Sequence, residues 1–365
     1  MKESRRNFVR LGAGLGAMLA VNARRSVAAE DNVPAWKIRP RGTEPPVSID
    51  VHSHWTPEGY VKRLAELGRP GTPVPLKADL DKRVRWMDAH GVQMLVLTLS
   101  GGMPWQWVSP QEGARLTQIV NDSGMQAHEA FPDRFLAAIE ISVRDPHLAV
   151  QEINRMAGKP GMRAVHLPNS LEGQNDYLFE PSFSPVLARC EELGLPLLFH
   201  PLDGEVNYYG GPETRLGGPV SDSARYSNTL GFTFETATTA TKFITTGTLD
   251  KFPRLEIVLP HSGGSFPYVA GRVEHGLNRK KSPLKHPFRE YIRRFHYDTM
   301  TYDLETLRFL VGLVGSDRVV VGTDNSFGAR MNFEWPNAIV ESLNLPAVDQ
   351  DRILRGNARK LFRIS

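Results

Sequence analysis

Histidines and carboxylates come first, because they can hold a metal ion or move a proton near neutral pH. The 365-residue chain has 11 histidines and a single cysteine, Cys190. One cysteine excludes an intramolecular disulfide and a thiolate metal cluster. Several histidines stand where a short apolar run ends. Ile49-Asp50-Val51 leads into His52-Ser53-His54, Leu197-Leu198-Phe199 into His200, and Val258-Leu259-Pro260 into His261. Val320-Val321-Gly322-Thr323 leads into Asp324 in the same way. In an extended strand residues i and i+2 share a face, so His52 and His54 can converge on one ion. His200 would be a third nitrogen ligand and Asp324 an oxygen ligand. Imidazole and carboxylate together suit one divalent ion, Zn²⁺ best, with Mn²⁺, Fe²⁺ or Co²⁺ as alternatives. Four protein ligands plus a water would make a five-coordinate catalytic centre. Singly, each residue has a plainer reading. A histidine at a strand end is commonly a hydrogen-bonded core or loop residue, and Asp324 could cap a following helix. The joint placement at four strand ends is what points to a metal site.

Residues so far apart in sequence need a scaffold that gathers strand ends. Eight apolar runs read as strands: Val47–His52, Val92–Leu97, Phe135–Ile141, Met162–Leu167, Leu195–His200, Leu255–Leu259, Phe295–Thr299 and Arg318–Gly322. Their near-continuous hydrophobicity implies burial on both faces, as in a parallel sheet. Amphipathic stretches between them read as helices: Leu80–His90, Gln111–Phe131, Pro146–Ala157, Pro181–Leu193, Phe234–Leu249, Ser265–Asn278 and Leu304–Val314. Trp335–Leu343 and Val348–Phe362 close the chain. The alternation predicts an α/β fold, a (β/α)₈ TIM barrel, with chemistry at the C-terminal ends of the strands. No Gly-x-Gly-x-x-Gly joins a strand to a helix, which argues against a dinucleotide fold. Residues 203–226, rich in Gly, Tyr and Pro, read as an active-site loop.

The first thirty residues read as an address. Ser4-Arg5-Arg6-Asn7-Phe8-Val9-Arg10 precedes an apolar run from Leu11 to Val21, and Val27-Ala28-Ala29 offers small residues for cleavage. This resembles a twin-arginine signal over residues 1–29, which implies the export machinery as a partner and a periplasmic or secreted protein. Residues 30–46 are Pro-rich and polar and read as a linker or N-terminal arm, leaving 47–365 for the barrel. The net charge is +4, and six cations precede residue 30, so the pI of 9.1 is no signal for nucleic acid.

The ligand pattern after strands one, five, six and eight resembles the amidohydrolase superfamily, which implies a TIM barrel of the metal-dependent hydrolase type. Phe199-His200-Pro201, His261-Ser262-Gly263-Gly264-Ser265-Phe266, Gly271-Arg272-Val273 and Gly315–Asp324 are similar to its aminocarboxymuconate-semialdehyde decarboxylase branch. So is the terminal stretch Ile353–Phe362. The resemblance covers roughly residues 47–363. It implies a mononuclear metal enzyme with His52, His54, His200 and Asp324 as ligands and His261 as general acid/base. It also implies Arg272 reaching into a neighbouring subunit's site to bind a substrate carboxylate, hence a homodimer, and Phe327 packing on substrate. Arg272 could equally be a surface helix arginine and Phe327 a core residue. Strand four ends Val165-His166-Leu167 with no lysine to bridge two metals, and His166 could touch substrate there. The implied reaction is decarboxylation of a small enol, dienoic or aromatic carboxylate. Hydrolysis or hydration of a lactone, ester or unsaturated acid is the alternative, because the same site could activate water. Asn325-Ser326 stands where the branch commonly has Tyr-Pro, and the loop Trp55–Leu80 offers no clear substrate arginine, so the substrate is expected to differ from the branch's namesake.

Overall fold

The computed structural model describes residues 47–68, 79–99, 108–171, 176–201, 227–279, 284–325 and 335–364. The signal, the linker, the whole 203–226 loop and Phe327 lie outside the described residues. Among the described residues no helix is long and apolar enough to cross a membrane.

Eight parallel strands follow one another around a single sheet: β1 (Ser48–Trp55), β2 (Val92–Leu99), β3 (Phe135–Glu140), β4 (Met162–Pro168), β5 (Leu197–His200), β6 (Ile257–Leu259), β7 (Phe295–Asp298) and β8 (Val319–Val320). The bridges Asp50–Val321 and Ser53–Asn325 bring β8 back to β1 and close the barrel. The expected (β/α)₈ architecture is therefore the observed one. Alternation within each strand sorts its side chains. Ile49, Val51, Met94, Val96, Leu136, Ala138, Ala164, Leu198, Val258 and Val320 fill the barrel interior. Their neighbours Leu95, Leu97, Ile139, Val165, Ile257 and Phe295 pack outward beneath the helices. Ala358, Leu361 and Phe362 from the C-terminal helix join the interior cluster and stop its far end.

Four of the described helices start on a side-chain cap. The Asp79 carboxylate accepts from the Lys82 N–H at 2.9 Å, Ser109 Oγ from Glu112 at 3.2 Å, and Asp145 from His147 and Leu148, opening Leu80–His90, Pro110–Ala130 and Pro146–Met156. Leu304–Val314 begins in the same way on Asp303.

Differences from the expected elements have local causes. The stretch after β1 carries a helix, Glu58–Glu66, where a short loop was expected; its buried residues are only Tyr60 and Leu64, too few for a clear period. The helix expected over Phe234–Leu249 starts at Phe232 and breaks after Thr245, because Gly247 turns left-handed. Val348–Phe362 is interrupted by a π-turn at Arg352–Gly356, and Asn357 donates there to the carbonyls of Ser316 and Val319.

Candidate metal centre and active site

The mouth of the barrel brings together four of the expected residues. One ring nitrogen each of His52, His54 and His200 and a carboxylate oxygen of Asp324 all lie within 4.8 Å of one another. Asp324 Oδ1 stands 3.4 Å from His52 Nε2, 3.0 Å from His54 Nε2 and 3.8 Å from His200 Nε2. The two nitrogens of His54 and His200 are 3.1 Å apart. Donors that share one ion at bonds of about 2.0–2.1 Å stand about 3–3.6 Å apart, so the spacing fits one divalent ion.

The outer ring nitrogens explain why these atoms face inward. His52 Nδ1 donates to Asp298 Oδ2 at 2.7 Å, and His200 Nδ1 donates to the Pro201 carbonyl at 2.7 Å. Thr98 Oγ1 donates to the Ser53 carbonyl at 3.2 Å and so accepts from His54 Nδ1 at 3.1 Å. Each bond keeps a proton on the outer nitrogen and turns Nε2 toward the common point, where it can ligate once it carries no proton. Among the described residues His52 Nε2 is buried without a hydrogen-bond partner, which fits a ligand atom.

Electrostatics follow the geometry. Burial pushes His54 down to about 4 and His200 well below its ordinary value. Burial would also lower His52, but the Asp324 charge and the Asp298 hydrogen bond outweigh it and raise His52 to about 9. For Asp324 burial pulls upward, yet the surrounding histidines hold it well below the carboxylate range. Three donors are thus ready for a cation, and the fourth carries one removable proton.

His261 stands over this cluster, its Nε2 3.5 Å from Asp324 Oδ2. Phe232 lies nearly parallel to it, at 24° with ring centroids 6.0 Å apart. The backbone that presents it is unusual. His261, Ser262, Gly263 and Gly264 all have positive φ, at 51°, 57°, 79° and 59°. A Cβ on Gly264 would sit 2.2 Å from the Thr233 carbonyl oxygen, so the turn requires glycine there. Above His261 and Asp324 opens a cavity of about 640 Å³ walled by Pro267, Tyr268, Met300, Tyr302 and Phe309, with threonine hydroxyls among them. It is large enough for a single-ring substrate.

His166 sits lower, 1% exposed, with Nδ1 between the Glu140 oxygens at 2.9 and 3.0 Å. It lines a small chamber beneath the ligand set, with His52, Thr98, His200 and Asp298, and is not on the described wall of the mouth cavity. Arg272 is exposed on helix Phe266–Arg279 and is not on the described wall of the cavity.

Sequence reasoning missed Asp298, Glu140 and Phe232. The first two were legible in principle: each is a carboxylate closing an apolar strand, the same signal that marked Asp324. They were read only as residues within the strands Phe135–Ile141 and Phe295–Thr299. Asp298 is fully buried and accepts from His52, His261, Ser262 and Met300. Nothing local marks Phe232, which follows a loop.

Residues 49–364 match the family described as amidohydrolase. The 2-amino-3-carboxymuconate-6-semialdehyde decarboxylase of Dictyostelium discoideum is 28% identical over 285 residues, covering 77% of this chain and 75% of that protein. A gamma-resorcylate decarboxylase from Rhizobium sp. (strain MTP-10005) is 28% identical over 298 residues, covering 78% of this chain and 87% of its own. Among solved structures, a 5-carboxyvanillate decarboxylase from Novosphingobium aromaticivorans, complexed with manganese and a nitrobenzoic acid, superposes with a TM-score of 0.73 at 20% identity, over 91% of this chain and all of that one. By the extent of the family match, the chain belongs to the amidohydrolase family.

Proposed function

We propose that this protein is a metal-dependent carboxy-lyase that removes CO₂ from a small aromatic carboxylate. The observation that carries the reading is the four-donor cluster with His261 above it at the floor of a ring-sized cavity, in a chain whose relatives are named as decarboxylases. The residues fit one divalent ion held by His52, His54, His200 and Asp324. When bound, that ion would polarise and orient the substrate's oxygens. Zn²⁺ is our assignment on donor type, with Mn²⁺ the first alternative.

His261 is the acid/base. It gives its proton to the ring carbon that bears the carboxylate; the C–C bond then breaks, its electron pair stays with the ring, and CO₂ leaves. Phe232 packs beside the imidazole and limits its tilt and its access to water. Arg272 binds the substrate carboxylate across a homodimer interface as a bidentate fork, and Phe327 packs on the ring. His166 acts from below the ligand set, its orientation held by Glu140. Residues 1–29 direct a folded protein to the twin-arginine machinery and so to the periplasm or beyond.

The test is product mass spectrometry on metal-loaded protein with a panel of hydroxybenzoates, enol carboxylates, lactones and esters. Loss of one CO₂ from an aromatic member is expected. Gain of one water instead would make the protein a hydrolase or hydratase using the same residues.

A further inference from the structure

We infer that Asp298 is a positioning residue that ties the metal site to the acid/base histidine, so that one buried carboxylate sets both. Its four acceptor positions are all taken. Oδ2 accepts from His52 Nδ1 at 2.7 Å and from the His261 N–H at 3.0 Å. Oδ1 accepts from the Ser262 N–H at 2.6 Å and the Met300 N–H at 3.0 Å. The Asp298 carbonyl also accepts from Ser262 Oγ at 2.8 Å. Only an ionised carboxylate can accept four N–H groups at once.

Two consequences follow from those bonds. The first concerns His52: its Nδ1 proton is pinned, which leaves Nε2 as the ligand atom. The second concerns the turn. His261 and Ser262 are non-glycine residues in the left-handed region, a conformation that persists only where surroundings over-determine it. Their successive N–H groups form a concave nest, and Asp298 is the anion in it. The direction of the His261 side chain therefore depends on Asp298. Met300, a wall of the substrate cavity, hangs from the same carboxylate. β8 comes close enough to support this arrangement because residue 322 is glycine. A Cβ there would lie 2.6 Å from Asp298 Cβ and 3.0 Å from His52 Cβ.

Asp298→Asn in the full-length protein separates this role from a merely structural one. The amide can keep the Ser262 and Met300 bonds, but its NH₂ then meets two donors, His52 Nδ1–H and His261 N–H. His52 escapes by moving its proton to Nε2, where the lone pair is needed. Co²⁺ affinity, read by competition with a chromophoric chelator, should fall about 10–100-fold. At saturating Co²⁺, kcat for CO₂ release should still fall by about tenfold or more, with KM little changed, because His261 is misdirected. Glu140→Gln is the control: an equally buried carboxylate, paired to His166 rather than to a ligand, whose loss should leave Co²⁺ affinity unchanged. Should Asp298→Asn fail to fold, Gly322→Ala must move both readouts in the same direction. Unchanged Co²⁺ affinity, an equal loss in Glu140→Gln, or a metal-saturated kcat equal to the parent's would each overturn the inference. The turnover arm rests on the decarboxylase reading. A wild-type protein that releases no CO₂ would refute that reading, and the Co²⁺ arm would still decide the role of Asp298.

Discussion

Loading the metal should release one proton, and that proton should come from His52. In the metal-free protein His52 titrates near 9, while burial keeps His54 near 4 and His200 well below its ordinary value. Asp324 is already ionised. At pH 7 roughly one His52 in a hundred lacks its extra proton. Metal and proton compete for the same Nε2 lone pair. Apparent affinity should therefore rise about tenfold per pH unit from about 5 to about 8 and level off near 9, about 1.4 kcal/mol per unit. The sign is fixed: the group's pKa is raised without metal, so acid favours the protonated, metal-free form. Calorimetric titration of the metal-free protein with Zn²⁺ at pH 7, in two buffers of different ionisation enthalpy, counts the protons directly. One proton per metal is expected. A count of zero would mean that Asp324 and Asp298 do not hold His52 charged. A count of two that persists at pH 6, where a metal-bound water keeps its protons, would mean that a second imidazole is protonated as well, and the electrostatic account of the cluster would fall.

Other outcomes follow from the same structure. Burial pushes the Cys190 thiol up to about 12, and the residue is 0% exposed, so folded protein at pH 8 should resist iodoacetamide by intact mass while denatured protein takes up one label. Gly91 ends helix Leu80–His90 at φ 71°, and a Cβ there would lie 2.6 Å from the Trp335 ring. Gly91→Ala should cost about 1–3 kcal/mol in urea unfolding while Zn²⁺ affinity at neutral pH stays the same. If Arg272 serves the neighbouring subunit, inactive His261→Asn and inactive Arg272→Ala proteins, mixed and allowed to exchange subunits, should recover about a quarter of wild-type activity, since half the dimers then carry one intact site. No recovery, or a fully active monomer in light scattering, would remove Arg272 from the site.

The barrel was legible because its strands are buried on both faces and so read as unbroken apolar runs between capped helices. His52, His54, His200 and Asp324 were legible because polar side chains are costly at the ends of such runs and stand out there. The layer beneath was harder. Asp298 and Glu140 carry the same strand-end signature, but a carboxylate whose partners are an imidazole and backbone N–H groups far away in sequence leaves no spacing to read. The left-handed turn at His261–Gly264 was half visible: Gly263-Gly264 announced a tight turn, while the positive φ of His261 and Ser262 depends on Asp298, 36 and 37 residues away. Phe232 and the helix Glu58–Glu66 had no local pattern strong enough to find them, because loop context and tertiary packing decide both.

The central claim is metal-dependent decarboxylation at this one cluster. The most direct measurement is turnover in D₂O of the aromatic acid found active, with metal-free, metal-loaded and Asp324→Asn proteins compared. The account predicts CO₂ release and one deuterium at the vacated ring carbon for the metal-loaded protein alone. Equal CO₂ release from the metal-free protein, or a product that has gained water and kept its carboxylate, would contradict it.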